Sequence, residues 1–199
     1  DNENEDSLSF SIRSSGNLLK FAISDGASEC VYSREWSAIL VKHYTYRPFD
    51  LYNLPTIVRE LSEKWRSNIK PADELPWYLQ EKLDKGAFAT FLGITIDLRE
   101  QTFESIAVGD CVLFHFRNDK LIYSFPLESS DQFNNTPLLI STNSKYQIDF
   151  QKLTKYSKGD ITSGDLLILA TDALSAWIFK RLDDSTRLLI DLKNFLSHK

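Results

Sequence analysis

The chain has 199 residues, of which 42% are hydrophobic and 26% charged, with a net charge of −5. That is enough apolar material to fill one ordinary domain, taken here as 1–199, and too much for a disordered chain. No Lys/Arg block calls for nucleic acid, and no apolar run reaches the roughly 18 residues that cross a bilayer. Two cysteines, Cys30 and Cys111, make no disulfide framework, and the opening Asp1-Asn2-Glu3-Asn4 has the wrong charge for a signal peptide. The expectation is a soluble, cytoplasmic protein with neither a nucleic-acid nor a membrane partner.

The first elements read as a hairpin. Leu8–Ile12 alternates apolar and polar, Ser14-Ser15-Gly16-Asn17 turns the chain, and Leu18–Ser24 returns to end at Asp25-Gly26. The pattern then changes period. Trp36, Ile39 and Leu40 predict a helix over Ser33–Tyr46, closed by Pro48. Ile57, Val58, Leu61 and Trp65 predict another over Leu54–Ile69, with Pro55 near its start and Pro71 at its end. Trp77–Leu83 is a shorter helical segment. From Gly86 the chain returns to strands: Ala87–Asp97, Phe103–Val108, Val112–Arg117, a turn at Asn118-Asp119, and Lys120–Phe125. Leu166–Thr171 is a strongly apolar strand, Leu174–Phe179 a helix, and Arg187–Leu192 a last strand. Strands, then helices, then strands again predict an α+β protein with mainly antiparallel sheets.

Carboxylates recur where these strands meet loops. Glu5-Asp6 precedes the first strand, Asp25 follows the second, Asp172 follows Leu166–Thr171, and Asp183-Asp184 precedes the last. If the strands lie side by side, the acids gather at one rim. Hard divalent cations take such oxygen ligands, and two of them clamp a phosphoryl group for in-line attack. Gly26 lets a backbone carbonyl approach without a Cβ in the way. Taken singly, acids at strand ends are usually turn formers or helix caps. Gly109-Asp110 reads as a buried turn. The three histidines do not cluster, and Cys30 lacks the Gly- and Arg-rich loop of a cysteine phosphatase.

The wording of these segments resembles the protein phosphatase 2C family. Asn4-Glu5-Asp6-Ser7 is similar to its opening acidic motif, and Ala22-Ile23-Ser24-Asp25-Gly26 to its strand ending in Asp-Gly. Gly86-Ala87-Phe88-Ala89-Thr90 resembles its Gly-Thr-Thr-type strand, and Val108-Gly109-Asp110-Cys111 its Val-Gly-Asp-Ser turn. Leu169 to Leu174 resembles its Ser-Asp-Gly-Leu element, and Asp183-Asp184-Ser185-Thr186 its closing strand. The elements come in the family's order, and the residues around Asp25 are most similar to a bacterial branch.

The resemblance implies two antiparallel sheets sandwiched between helix pairs, and hydrolysis of phosphoserine or phosphothreonine in a phosphoprotein substrate opposite a Ser/Thr kinase. It implies two Mn²⁺ or Mg²⁺ ions. Asp25 would bridge them, Gly26 would offer its carbonyl, and Asp172 and Asp183 would hold one ion. Asp6 and Glu5 would serve the other through water, with Asp184 in support. A third ion would use Asp172 and an acid near Asp84. The sequence departs from the family in three places. Asp1 stands where some members have a phosphate-gripping Arg, leaving Arg34 as the candidate for that work. Ala27 stands where some have a proton-donating His. Few residues separate Asp172 from Asp183, which leads to the expectation of a break near Arg181–Leu182. The competing expectation, raised by Asp1 and Ala27, is a catalytically inactive relative acting as a binding or regulatory module.

Overall fold

A computed structural model describes residues 5–12, 16–133, 136–146, 149–182, 188–192 and 194. The hairpin of β1 (Ser7–Ile12) and β2 (Leu18–Ser24) leads into helices α1 (Ser33–Tyr46), α2 (Leu54–Asn68) and α3 (Trp77–Lys85). Strands β3 (Phe88–Ala89), β4 (Phe91–Asp97), β5 (Thr102–Val108), β6 (Val112–Arg117), β7 (Lys120–Phe125) and β8 (Ile140–Ser141) follow. A short α4 (Phe150–Leu153), β9 (Lys155–Asp160), β10 (Leu166–Ala170) and α5 (Asp172–Phe179) come next.

Among the described residues every ladder is antiparallel. Five strands join in the order β1-β2-β4-β5-β9, three in the order β10-β6-β7, and β3 pairs with β8. The two-residue period of the strands sorts their side chains into layers. Leu92, Ile94 and Ile96 of β4, with Phe103 and Ala107 of β5, face the second sheet and pack with Leu113 and Phe125. Phe91, Ile106 and Val108 point the other way, into the helices, where they meet Trp36 and Leu40 of α1 and Val58 and Trp65 of α2. On the far side of the second sheet, Val112, Phe114 and Phe116 pack with Ile178 and Phe179 of α5 and with Leu188, Leu189 and Leu192. The result is the expected α+β stack of helix, sheet, sheet and helix.

Several buried polar groups in this stack find local partners. Trp36 Nε1 donates to Ile140 O at 2.9 Å and Trp65 Nε1 to Tyr32 O at 3.1 Å, so both indoles pack as core without an orphaned donor. Between the sheets Asp165 accepts from Arg117 Nε and Nη2 at 2.8 and 2.7 Å, and its carboxylate lies 2.8 Å from His115 Nε2. The Arg117 guanidinium holds the Asp165 carboxyl well below the usual carboxylate range.

Two expectations need revision, and one strand went unpredicted. Residues 188–192 are helical, not a strand: Leu188, Leu189 and Leu192 are all buried, the spacing of one helix face. The run 87–97 divides at Thr90 into β3 and β4. β9 had no apolar alternation to reveal it, because Lys155, Tyr156, Lys158 and Asp160 are all exposed and it lies at the sheet edge.

Candidate metal centre

Strand register builds the site. Ser7 pairs with Ser24, so the same register carried one step further sets Asp6 opposite Asp25 at the open end of the β1–β2 hairpin. Ala170 of β10 pairs with Val112 of β6, and that register carried two steps further sets Asp172 opposite Asp110. One rim of each sheet thus presents a pair of carboxylates, and the sandwich turns the two pairs toward each other.

The backbone around Asp25 is held from both sides. Thr90 N donates to Asp25 O at 2.8 Å, and Asp25 N donates to Thr90 Oγ1 at 3.1 Å. Gly26 N donates to Glu5 O at 3.3 Å, fixing the start of β1 against the end of β2. A Cβ on Gly26 would lie 2.9 Å from the Ser33 backbone, so glycine is required here by the close approach of the α1 N-terminus. Gly109 has φ +98°, and a Cβ there would meet Leu138 O and Thr90 at 2.8 Å. This left-handed turn delivers Asp110 to the rim.

The electrostatics follow from crowding acids. The Asp25 carboxyl is pushed up to about 7, first by burial and then by the charges of Asp6 and Asp172, with Asp110 adding to them. Asp6 hydrogen-bonds to Asp25 and is itself raised, mainly by burial and then by Asp172 and Glu5. Asp110 is raised by burial and by Asp172. A cleft of about 450 Å³ beside these groups is lined by Asp25, Gly26, Cys30, Thr90, Asp110 and Asp172 among others, and no Lys or Arg lines it among the described residues.

The site residues expected from sequence fare differently. Asp6, Asp25 and Asp172 come together. Glu5 stands beside them, partly buried, with its Oε2 lacking a hydrogen-bond partner. Asp183 and Asp184 lie outside the described residues, and the helix at 188–192 replaces the strand on which their assignment rested. Arg34 is exposed in the first turn of α1 and does not line the cleft. Asp84, the guide for a third ion, is exposed on α3, where its carbonyl accepts from Asn143 Nδ2. The acid beside Asp172 is Asp110, which sequence reasoning had set aside as a turn. The signal that finds it is register, because it mirrors Asp172 across the β6–β10 ladder.

The donor set fits a hard divalent cation. It consists of carboxylate oxygens, crowded enough that Asp25 holds a proton far above its ordinary range, together with one unpartnered Glu5 oxygen. Among the described residues no three Asp, Glu, His or Cys side chains form a ready group around an ion. The acids meet in pairs, which suits an ion such as Mg²⁺ that keeps several waters.

The sequence matches no family model and no curated protein. Solved structures do match. A bacterial serine phosphatase superimposes with a TM-score of 0.58 at 13% identity, over 96% of this chain and 85% of that one. The serine/threonine phosphatase of S. agalactiae gives 0.56 at 16% identity, over 98% and 88%. Serine/threonine phosphatase Stp1 from Staphylococcus aureus gives 0.56 at 14% identity, over 96% and 84%. The chain has the protein phosphatase 2C fold. In the 2C fold of this chain, Asp6 and Asp25 stand on the rim of the five-stranded sheet, and Asp110 and Asp172 on that of the three-stranded one.

Proposed function

We propose that the chain is a phosphoserine/phosphothreonine protein phosphatase dependent on two Mn²⁺ or Mg²⁺ ions, acting on phosphoproteins opposite a Ser/Thr kinase. One observation carries this reading: Asp6, Asp25, Asp110 and Asp172 converge from two sheets, and burial, with their mutual repulsion added to it, raises the Asp25 carboxyl to about 7. Carboxylates crowded in this way call for a cation, and the shared fold with bacterial serine/threonine phosphatases points to the same chemistry.

In this reading Asp25 and Asp172 would be the principal ligands, Asp6 and the Gly26 carbonyl would assist beside Asp25, and Asp110 would serve a further ion beside Asp172. Glu5 would accept hydrogen bonds from water on an ion. When bound, the ions supply Lewis acidity and an activated water for attack on phosphorus. The chain's own part is to gather the carboxylates at one rim, to fix the Asp25 loop through Thr90, and to leave the cleft open to a phosphate. With Ala27 offering no proton and, among the described residues, no Lys or Arg lining the cleft, a bound phosphate would rely on the cations.

The test is hydrolysis of p-nitrophenyl phosphate and of a phosphothreonine peptide. Mn²⁺ is expected to switch on both, and Asp25→Asn or Asp172→Asn to lower the rate by at least ~100-fold. Activity that persists in chelator sinks the reading. That no Lys or Arg among the described residues lines the cleft also favours a second reading, a catalytically silent module; metal binding without turnover would select it.

A further inference from the structure

The four acids of the rim come from two sheets, and each sheet is held only by its own ladders. Between the sheets Leu92, Ile94 and Ala107 meet Cys111, Leu113 and Phe125 through apolar packing, which has no preferred direction. Repulsion acts across the same gap, because the charges of Asp172 and Asp110 on one rim help to raise Asp25 on the other. Holding the two pairs of acids at one separation calls for a directional tie.

Thr90 lies at that gap. It is 3% exposed and falls between β3 and β4. Toward the first sheet its N–H donates to Asp25 O at 2.8 Å, its Oγ1 accepts from Asp25 N at 3.1 Å, and its carbonyl accepts from Ser24 Oγ. Toward the second sheet the same Oγ1 lies 3.0 Å from Cys111 Sγ. Its methyl group backs the Gly109 turn so closely that a Cβ on Gly109 would come within 2.8 Å of it. A hydroxyl can accept and donate at once, so one oxygen serves both rims. Cys111 is 1% exposed, and burial pushes its thiol up, which keeps it a neutral partner rather than one more negative charge. A second contact across the gap, Thr171 Oγ1 to Asp6 Oδ2, is longer at 3.5 Å and exposed.

We infer that Thr90 is a positioning residue for both pairs of acids: the run from Asp25 N–H through Thr90 Oγ1 to Cys111 Sγ sets the separation between Asp25 and Asp110. The inference rests on the two-ion reading above, since a fixed separation matters to ions that lie between the rims. It also gives a role to the buried Cys111 thiol, which the proposed reaction does not use.

The test compares Thr90→Val, Thr90→Ser and Cys111→Ala in the full chain. In chelator, amide NMR of Thr90→Val is expected to show faster exchange at the Asp25 N–H and shifted signals on both rims, at Asp25-Gly26 and at Asp110-Cys111, with Thr90→Ser close to the parent. In calorimetry Thr90→Val is expected to weaken Mn²⁺ binding by ~10-fold or more and Thr90→Ser by less than ~3-fold. Cys111→Ala separates the two halves of the tie: Asp25 keeps its bond to Thr90, yet Mn²⁺ binding should weaken by ~5-fold or more. Ile94→Val, which loosens the same core without touching the tie, is expected to bind Mn²⁺ as the parent does. Parental affinity in Thr90→Val or in Cys111→Ala, or an equal loss in Ile94→Val, would overturn the assignment. If the parent itself binds no Mn²⁺, the phosphatase reading falls. The metal-free spectra then decide the tie: amide changes on both rims of Thr90→Val uphold it, and changes confined to the Asp25 side overturn it.

Discussion

Asp6 and Asp25 face each other across the open end of one β-hairpin and share a hydrogen bond between their carboxyl groups. Two carboxyls in contact share a proton unless a cation replaces it.

The first expectation concerns pH. Asp25 titrates ordinarily at 3.8 and in the fold at about 7, so between those values the folded chain holds a proton that the unfolded chain has released. Metal-free stability must therefore fall as pH rises through this window and level off above it. His43, lowered by burial and by Arg47, contributes with the opposite sign just below 6.5, so the informative quantity is the difference from Asp25→Asn. In chelator, Asp25→Asn is expected to gain in melting temperature relative to the parent from pH 5 to pH 7.5. A constant difference across that range would contradict the coupling.

The second concerns Asp110. If it serves an ion together with Asp172, Asp110→Asn should weaken Mn²⁺ binding by roughly 10–100-fold while the near-ultraviolet circular dichroism stays native. A variant with parental affinity would return Asp110 to the role of a turn residue.

A third tests the packing that carries Asp25. Gly93 lies under the Tyr44 ring, with 2.7 Å left for a Cβ. Gly93→Ala should displace α1 and destabilise the fold by about 1–3 kcal/mol in urea unfolding. Gly16→Ala, which meets nothing within 4 Å but has φ +70°, serves as the comparison for backbone strain alone.

The fourth addresses the polar cluster between the sheets. Removing the carboxylate in Asp165→Ala leaves His115, 2% exposed, and part of Arg117 without their acceptor. A loss of roughly 2–3 kcal/mol is expected. Because the Asp165 carboxyl is held below its ordinary range, this contribution is present above pH ~4 and fades as the medium is acidified.

Much of the architecture was legible in the residues. The hairpin, the two long helices and the strands β4 to β7 follow from local period, although β5 and β6 fall in different sheets and so make no continuous meander; the Asp6–Asp25 pairing follows from the hairpin because its strands are neighbours in sequence. Asp110 opposite Asp172 was not legible, since nothing local says that β6 and β10 share a ladder. The stretch 188–192 misled because Leu188-Leu189-Ile190 reads equally as a short buried strand, and only Leu192 on the same face makes it helical. β9 escaped because an edge strand with its side chains in solvent carries no alternation.

The most direct test is calorimetric titration of Mn²⁺ into the chelator-treated chain, run beside Asp25→Asn. Saturable binding in the parent, lost or weakened at least ~100-fold in the variant, is the outcome this account requires. Absence of saturable binding, or the same isotherm for both proteins, would contradict it.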